Sequence, residues 1–86
     1  MDINELIAIV KKKIEDRIFV ENISIEDKSF LHKNHKTHQA GKFHLKISLK
    51  SDELKKMSKI NSNRKIYKIL EEEMKLHIHS IQILIN

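Results

Sequence analysis

The sequence predicts an α+β domain with the element order αββααβ, a three-stranded mixed sheet with helices packed on one face. Three observations carry this. Apolar residues recur every three or four positions near the N-terminus, two later segments alternate between β-branched or apolar and polar residues, and a third such segment follows two helical ones. At 86 residues the chain is one domain, spanning 1–86, near the size at which a single core only just suffices.

The first helix is read from "DINELIAIVKKKIED", where Ile3, Leu6, Ile7, Val10 and Ile14 share a face and Asp2 and Glu5 stand at capping-box spacing. It is expected over residues 3–15. "NISIED" follows as a short strand. "KFHLKISLK" is a second strand: Phe43, Leu45, Ile47 and Leu49 alternate with His44, Lys46, Ser48 and Lys50, which makes one face apolar and one wet. The roughly fourteen residues between these strands show no periodicity, and a loop of that length is usually functional or disordered.

Ser51 begins "SDELKKMSKI", a short helix expected to end at the polar "NSN". Ser62 is then placed to cap another helix, with Ile66, Ile69, Leu70 and Met74 as its apolar stripe. "HIHSIQILI" closes the chain as a third strand. The two helices before it give enough chain for a parallel crossover from the second strand to the third.

Composition removes several function classes. The chain has no cysteine, so it builds neither a disulfide framework nor a thiolate metal site alone. No apolar run approaches a membrane span and no secretory h-region opens the chain, so a cytoplasmic protein without membrane contact is expected. No Ser/His/Asp set, nucleophilic thiol or phosphate-cradling glycine loop is present, so no enzyme is expected. The net charge of +5 is almost all lysine, with arginine only at Arg17 and Arg64. That balance argues little for selected phosphate or base contact, where arginine is favoured.

Histidine is the distinctive feature. Four of the six lie in "HKNHKTHQAGKFH", at His32, His35, His38 and His44, and the other two are His77 and His79. If the first two strands are antiparallel and the third lies parallel beside the second, the long loop and the start of the third strand meet at one edge of the sheet. The two histidine groups then converge through strand direction. By period two, His79 shares a face with Ile81, Ile83 and Ile85, which makes it a half-buried, oriented ligand candidate. His44 shares its face with Lys46 and Lys50, so it is expected in solvent as a poorer ligand, and His77 is also a lesser candidate. The loop pattern is not the helical H-E-x-x-H of zinc peptidases.

Four blocks, "IEDKSFLH" (25–32), "FHLKISL" (43–49), "NRKIYKILEEEM" (63–74) and "IHSIQI" (78–83), resemble the BolA family in order and spacing. The resemblance implies a fold akin to the second class of KH domain. It also implies that His79 matches the histidine opening the last strand, and that His32 matches the loop ligand, with His35 and His38 as substitutes. His44 matches the histidine preceding the first aromatic of the second strand in other members. The implied function is non-enzymatic. A monothiol glutaredoxin with glutathione would share a 2Fe–2S cluster with this chain, in iron–sulfur trafficking or iron sensing, and the isolated protein would hold no cofactor and be a monomer.

Imidazole ligands here would complement thiolates supplied by the partner, a mixed ligation known to suit such clusters. The alternative is a DNA-binding regulator that uses the two-helix segment as a helix-turn-helix, with Lys55, Lys56, Lys59, Arg64, Lys65 and Lys68 on its surface. Two departures from the family pattern weigh against it. Ser62 and Asn63 replace an Arg-His pair, and no glycine-containing turn precedes them, whereas KH-type binding needs a glycine loop to clamp the nucleic-acid backbone.

Overall fold

The computed structural model of the protein describes residues 1–29 and 42–86. Helix α1 (Ile3–Arg17) starts where the Asp2 carboxylate accepts the Glu5 backbone N–H at 2.8 Å. It runs two residues beyond the expected end, and Ile18 then turns extended while still donating its N–H to the Ile14 carbonyl at 2.8 Å. Strand β1 (Asn22–Asp27) and strand β2 (Phe43–Lys50) follow. Next come α2 (Asp52–Lys55), α3 (Lys59–Ile69), α4 (Glu71–Leu76) and β3 (Ile78–Ile85).

The sheet order is β1-β2-β3, with β1 antiparallel and β3 parallel to β2. The expected mixed sheet is thus observed. As the central strand, β2 supplies Leu45, Ile47 and Leu49 to the core, where they meet Leu6, Val10 and Ile14 of α1 and Ile66 of α3. Ile18, Leu54, Leu70 and Ile78 complete the buried set near the helix ends. Burying each such side chain is worth about 1.5–3 kcal/mol.

The helical segment between β2 and β3 departs from expectation in two places. The break expected at "NSN" with Ser62 as cap falls instead at Met57–Ser58. Ser58 Oγ accepts the Asn61 N–H at 3.1 Å, and α2 is a single turn of four residues capped by Ser51. Ser62 is buried inside α3, where its hydroxyl donates to the Lys59 carbonyl at 3.0 Å. A hydroxyl that finds a carbonyl one turn back is satisfied in the core and does not cap. The second departure is a bend at Leu70 (φ −100°, ψ 18°), which separates α3 from α4 although the Ile66–Leu70–Met74 stripe continues across it.

One buried charge ties α1 to α4. The Glu73 side chain is 7% exposed, and Lys13 Nζ reaches its Oε2 at 2.6 Å. The hydrogen bond to Glu73 holds the Lys13 ammonium above its ordinary range, against the opposing effect of desolvation. Removing the lysine alone strands a carboxylate in a low-dielectric site, which costs more than removing both partners. Lys13→Met is expected to destabilise the fold by about 2 kcal/mol in urea titrations, a figure moderated by the lysine's contact with solvent. Lys13→Met combined with Glu73→Leu should recover most of it. The raised folded value means that the pair's contribution is complete below about pH 10.5, the ordinary lysine value, and is lost as pH climbs beyond it through the raised folded value. The alkaline loss should vanish in Lys13→Met; an unchanged alkaline profile would show that the Lys13–Glu73 pair is not its source.

Candidate functional site

Parallel pairing puts the starts of β2 and β3 side by side, with Phe43 opposite Ile78. The next pair is His44 opposite Ser80, so one residue of β3, His79, is left without a counterpart. This irregularity is a β-bulge, which breaks the alternation and re-aims a side chain. Its effect is visible in the core: Ile78 is buried, and the helix-side series resumes three residues later with Ile81, Ile83 and Ile85.

His79 is therefore displaced from the face assigned to it by period two. It is exposed rather than half-buried with Ile81 and Ile83. Its ring stands 4.8 Å from the ring of His44, with the planes inclined by 39°. His44 also departs from expectation. It was placed in solvent with Lys46 and Lys50, yet it is only 8% exposed. Its Nδ1 lies 2.6 Å from Ser80 Oγ, and a hydrogen bond there fixes the orientation of the ring, the hydroxyl serving as donor or acceptor to either tautomer.

The backbone of His44 is fixed as well. Its N–H donates to Ser29 Oγ at 3.1 Å, and its carbonyl accepts from the Lys28 N–H at 2.7 Å. Ser29 in turn donates its N–H to Asp27 Oδ1 at 2.9 Å. The end of β1 is thereby locked onto the start of β2 at the point where the long connection leaves. A cavity of about 230 Å³ adjoins the site, lined by Lys28, His44, Lys46, Ser80 and Gln82 among others. Lys28 is 3.1 Å from Glu26, and that hydrogen bond holds the glutamate's carboxyl below the ordinary range, with a smaller contribution from Lys46.

Of the remaining candidates, His77 closes α4, half-buried, and its carbonyl accepts the Phe43 N–H at 2.9 Å. His32, His35 and His38 lie outside the described residues. Among the described residues no three His, Asp or Glu side chains gather as a metal-binding group, so His44 and His79 form a pair and not a complete centre. Lys55, Lys56, Lys59, Arg64 and Lys68 are exposed on and around α3, while Lys65 is ion-paired with Glu53. Ser80 escaped the sequence reading, as did the bulge. The three-residue gap between Ile78 and Ile81 is the signal that marks both.

Fold and site together define a small α+β domain that presents paired imidazoles where two parallel strands begin. A family model described as BolA-like protein matches residues 14–86, and the chain belongs to the BolA family. Among solved structures, the BolA domain of SufE1 from Arabidopsis thaliana is similar, with a TM-score of 0.78 and 24% identity over 92% of this chain and 87% of that one. BolA1 from the same plant gives a TM-score of 0.75 at 21% identity, with the same coverage. The solution structure of BolA1 from Mus musculus gives 0.72 at 21% identity, over 90% of this chain and 60% of that one. No curated protein sequence matches. At these identities the likeness is one of fold. Among the described residues no helix is long and apolar enough to cross a membrane.

The Ser80 contact generates a direct expectation. Ser80→Ala should leave the sheet intact, cost about 1 kcal/mol and remove the hydrogen bond at His44 Nδ1, which shifts that nitrogen's resonance. Long-range proton–nitrogen NMR correlations of the imidazole would read this. An unchanged Nδ1 resonance in the variant would show that Ser80 does not hold the ring.

Proposed function

We infer that this protein is a non-enzymatic partner of a monothiol glutaredoxin, the two chains and glutathione holding a 2Fe–2S cluster between them for iron–sulfur trafficking or iron sensing. The observation that carries this reading is the contact between the His44 and His79 rings at the shared start of β2 and β3, in a member of the BolA family. Exposed His79 is the ligand this chain offers a partner. His32 is the second, with His35 and His38 able to substitute, and His44 holds the His79 ring from beneath.

The donor set fits such a shared group. Imidazole nitrogen replaces thiolate in known clusters of this type, the chain contains no cysteine, and the thiolates fall to glutaredoxin and glutathione. When bound, the cluster supplies a one-electron couple and iron and sulfide that are transferable to a recipient. The chain's own part is to present a neutral imidazole in one orientation. A site completed only in a complex suits transfer better than a closed cage.

Co-expression with the host's monothiol glutaredoxin, followed by visible absorbance and circular dichroism, tests this. A chromophore should co-purify only when both proteins are present. His79→Ala should abolish it while leaving the far-ultraviolet spectrum unchanged. His32→Ala should weaken it and leave a remainder. A full signal from His79→Ala would refute the assignment.

A second reading, as a DNA-binding regulator, draws on the exposed Lys55, Lys56, Lys59, Arg64 and Lys68. With α2 reduced to one turn, the segment offers a single helix with lysines and no glycine clamp. Duplex binding is expected to be weak and largely lost at physiological salt. Sequence-selective binding under those conditions, measured by fluorescence anisotropy, would favour the regulator.

A further inference from the structure

The far end of β3 carries a second surface. The Asn86 N–H donates to the Leu49 carbonyl at 2.8 Å, which sets the parity of the strand. Leu49 pairs with Ile85, so residues 84 and 86 turn their backbone groups toward β2, while Ile81, Ile83 and Ile85 turn theirs away from the sheet. Along that outer edge the Ile81 carbonyl accepts from the Tyr67 hydroxyl at 3.4 Å. Among the described residues, nothing else pairs with the outward groups of Ile83 and Ile85.

Natural edge strands are usually guarded by lysine, proline, inward charge or short length. β3 has eight residues with no Lys, Arg, Asp, Glu or Pro, and its Leu84 is 40% exposed. The opposite edge, β1, carries Glu26 and Asp27. Beside the outer edge of β3 lies a groove of about 350 Å³, lined by Leu54, Met57, Ile83 and Ile85 together with exposed Lys55 and Lys59. No carboxylate lines it.

We propose that the outer edge of β3 at Ile83 and Ile85 takes up an extended acidic segment of a partner protein as a fourth strand, seating an apolar side chain in the groove and carboxylates against Lys55 and Lys59. Alternating outward N–H and C=O groups match a peptide backbone, which returns both, and this is the general chemistry of strand addition. A nucleic-acid backbone has acceptors alone, and the outward carbonyls would repel it. A second copy of β3 would bring no negative charge to the two lysines. Ile83 and Ile85 are four and six residues from His79, about 13 and 20 Å along the strand, so the inference does not depend on the cluster reading.

The test uses the whole protein and a fluorescein-labelled peptide, Thr-Glu-Thr-Ile-Thr-Glu-Thr, whose glutamates and isoleucine fall on one face of a strand. Fluorescence anisotropy should show binding, and amide NMR shifts should centre on Ile83 and Ile85 rather than on Gln82 and Leu84. Lys55→Glu with Lys59→Glu, both at exposed positions, should weaken binding about tenfold. The same protein should then prefer the peptide with lysines in place of glutamates. N-methylation of alternate peptide amides should abolish binding to the unmodified protein. Equal binding of the acidic and basic peptides, indifference to N-methylation, or shifts centred on His79 would overturn the proposal. So would displacement of the peptide by a single-stranded oligonucleotide, or protection of the Ile83 and Ile85 amides that rises with protein concentration in the absence of peptide.

Discussion

Parallel pairing of β3 with β2 is the constraint on which the rest of the molecule depends. A parallel neighbour is out of reach of a tight turn, so the chain must cross the sheet between the two strands, and α2, α3 and α4 are that crossing. Their apolar sides then cover Leu45, Ile47 and Leu49 from the same side as α1. The same pairing brings the starts of both strands to one edge, which is why residues 44 and 79 become neighbours in space. It also leaves β3 as an outer strand whose second side has no strand partner among the described residues.

Within that frame, a single extra residue decides what the histidines can do. In an unbroken ladder, alternation would put His79 with Ile81 under the helices and hand its solvent position to a neighbour. The bulge lets Ile78 and Ile81 both face the core and leaves His79 outside it, over His44. The two rings thereby divide their roles. One is buried and held by a serine; the other is accessible. Burying an imidazole costs stability unless its nitrogens are satisfied, and the short Ser80 contact offsets that cost.

The strands, their order and the first helix were legible because they rest on local periodicity and on one capping aspartate. The helical break was not. Ser58 and Ser62 are equally good caps by type, and only the packing of α3 against the core decides that Ser62 goes inside. Strict alternation failed at His79 because the bulge changes its face, and at His44 because period two gives the face of a residue but not what stands over it. His44 was grouped correctly with the lysines along β2, yet the His79 ring lies against it and Ser80 engages its Nδ1. The bulge itself was written into "IHSI", since apolar residues three apart at a strand start cannot both face the core without one extra residue. Convergence of the two strand starts followed from topology alone, whereas the loop histidines of residues 32–38 have no local periodicity from which a position could be derived.

Among the described residues, His44 and His79 bring at most two imidazole donors to the strand starts, half of a tetrahedral shell. A private metal centre would need two more donors among the surrounding side chains. The cavity beside His44 is lined instead by Lys28 and Lys46, whose ammonium groups disfavour a free cation. The same lysines favour a group that carries net negative charge. A sulfide-bridged cluster with thiolate ligands is anionic, and so are the carboxylates of glutathione, so the electrostatics that would exclude a bare metal ion would attract the cluster in its complex. Among the described residues, electrostatic preference and donor count both accord with the shared site proposed above.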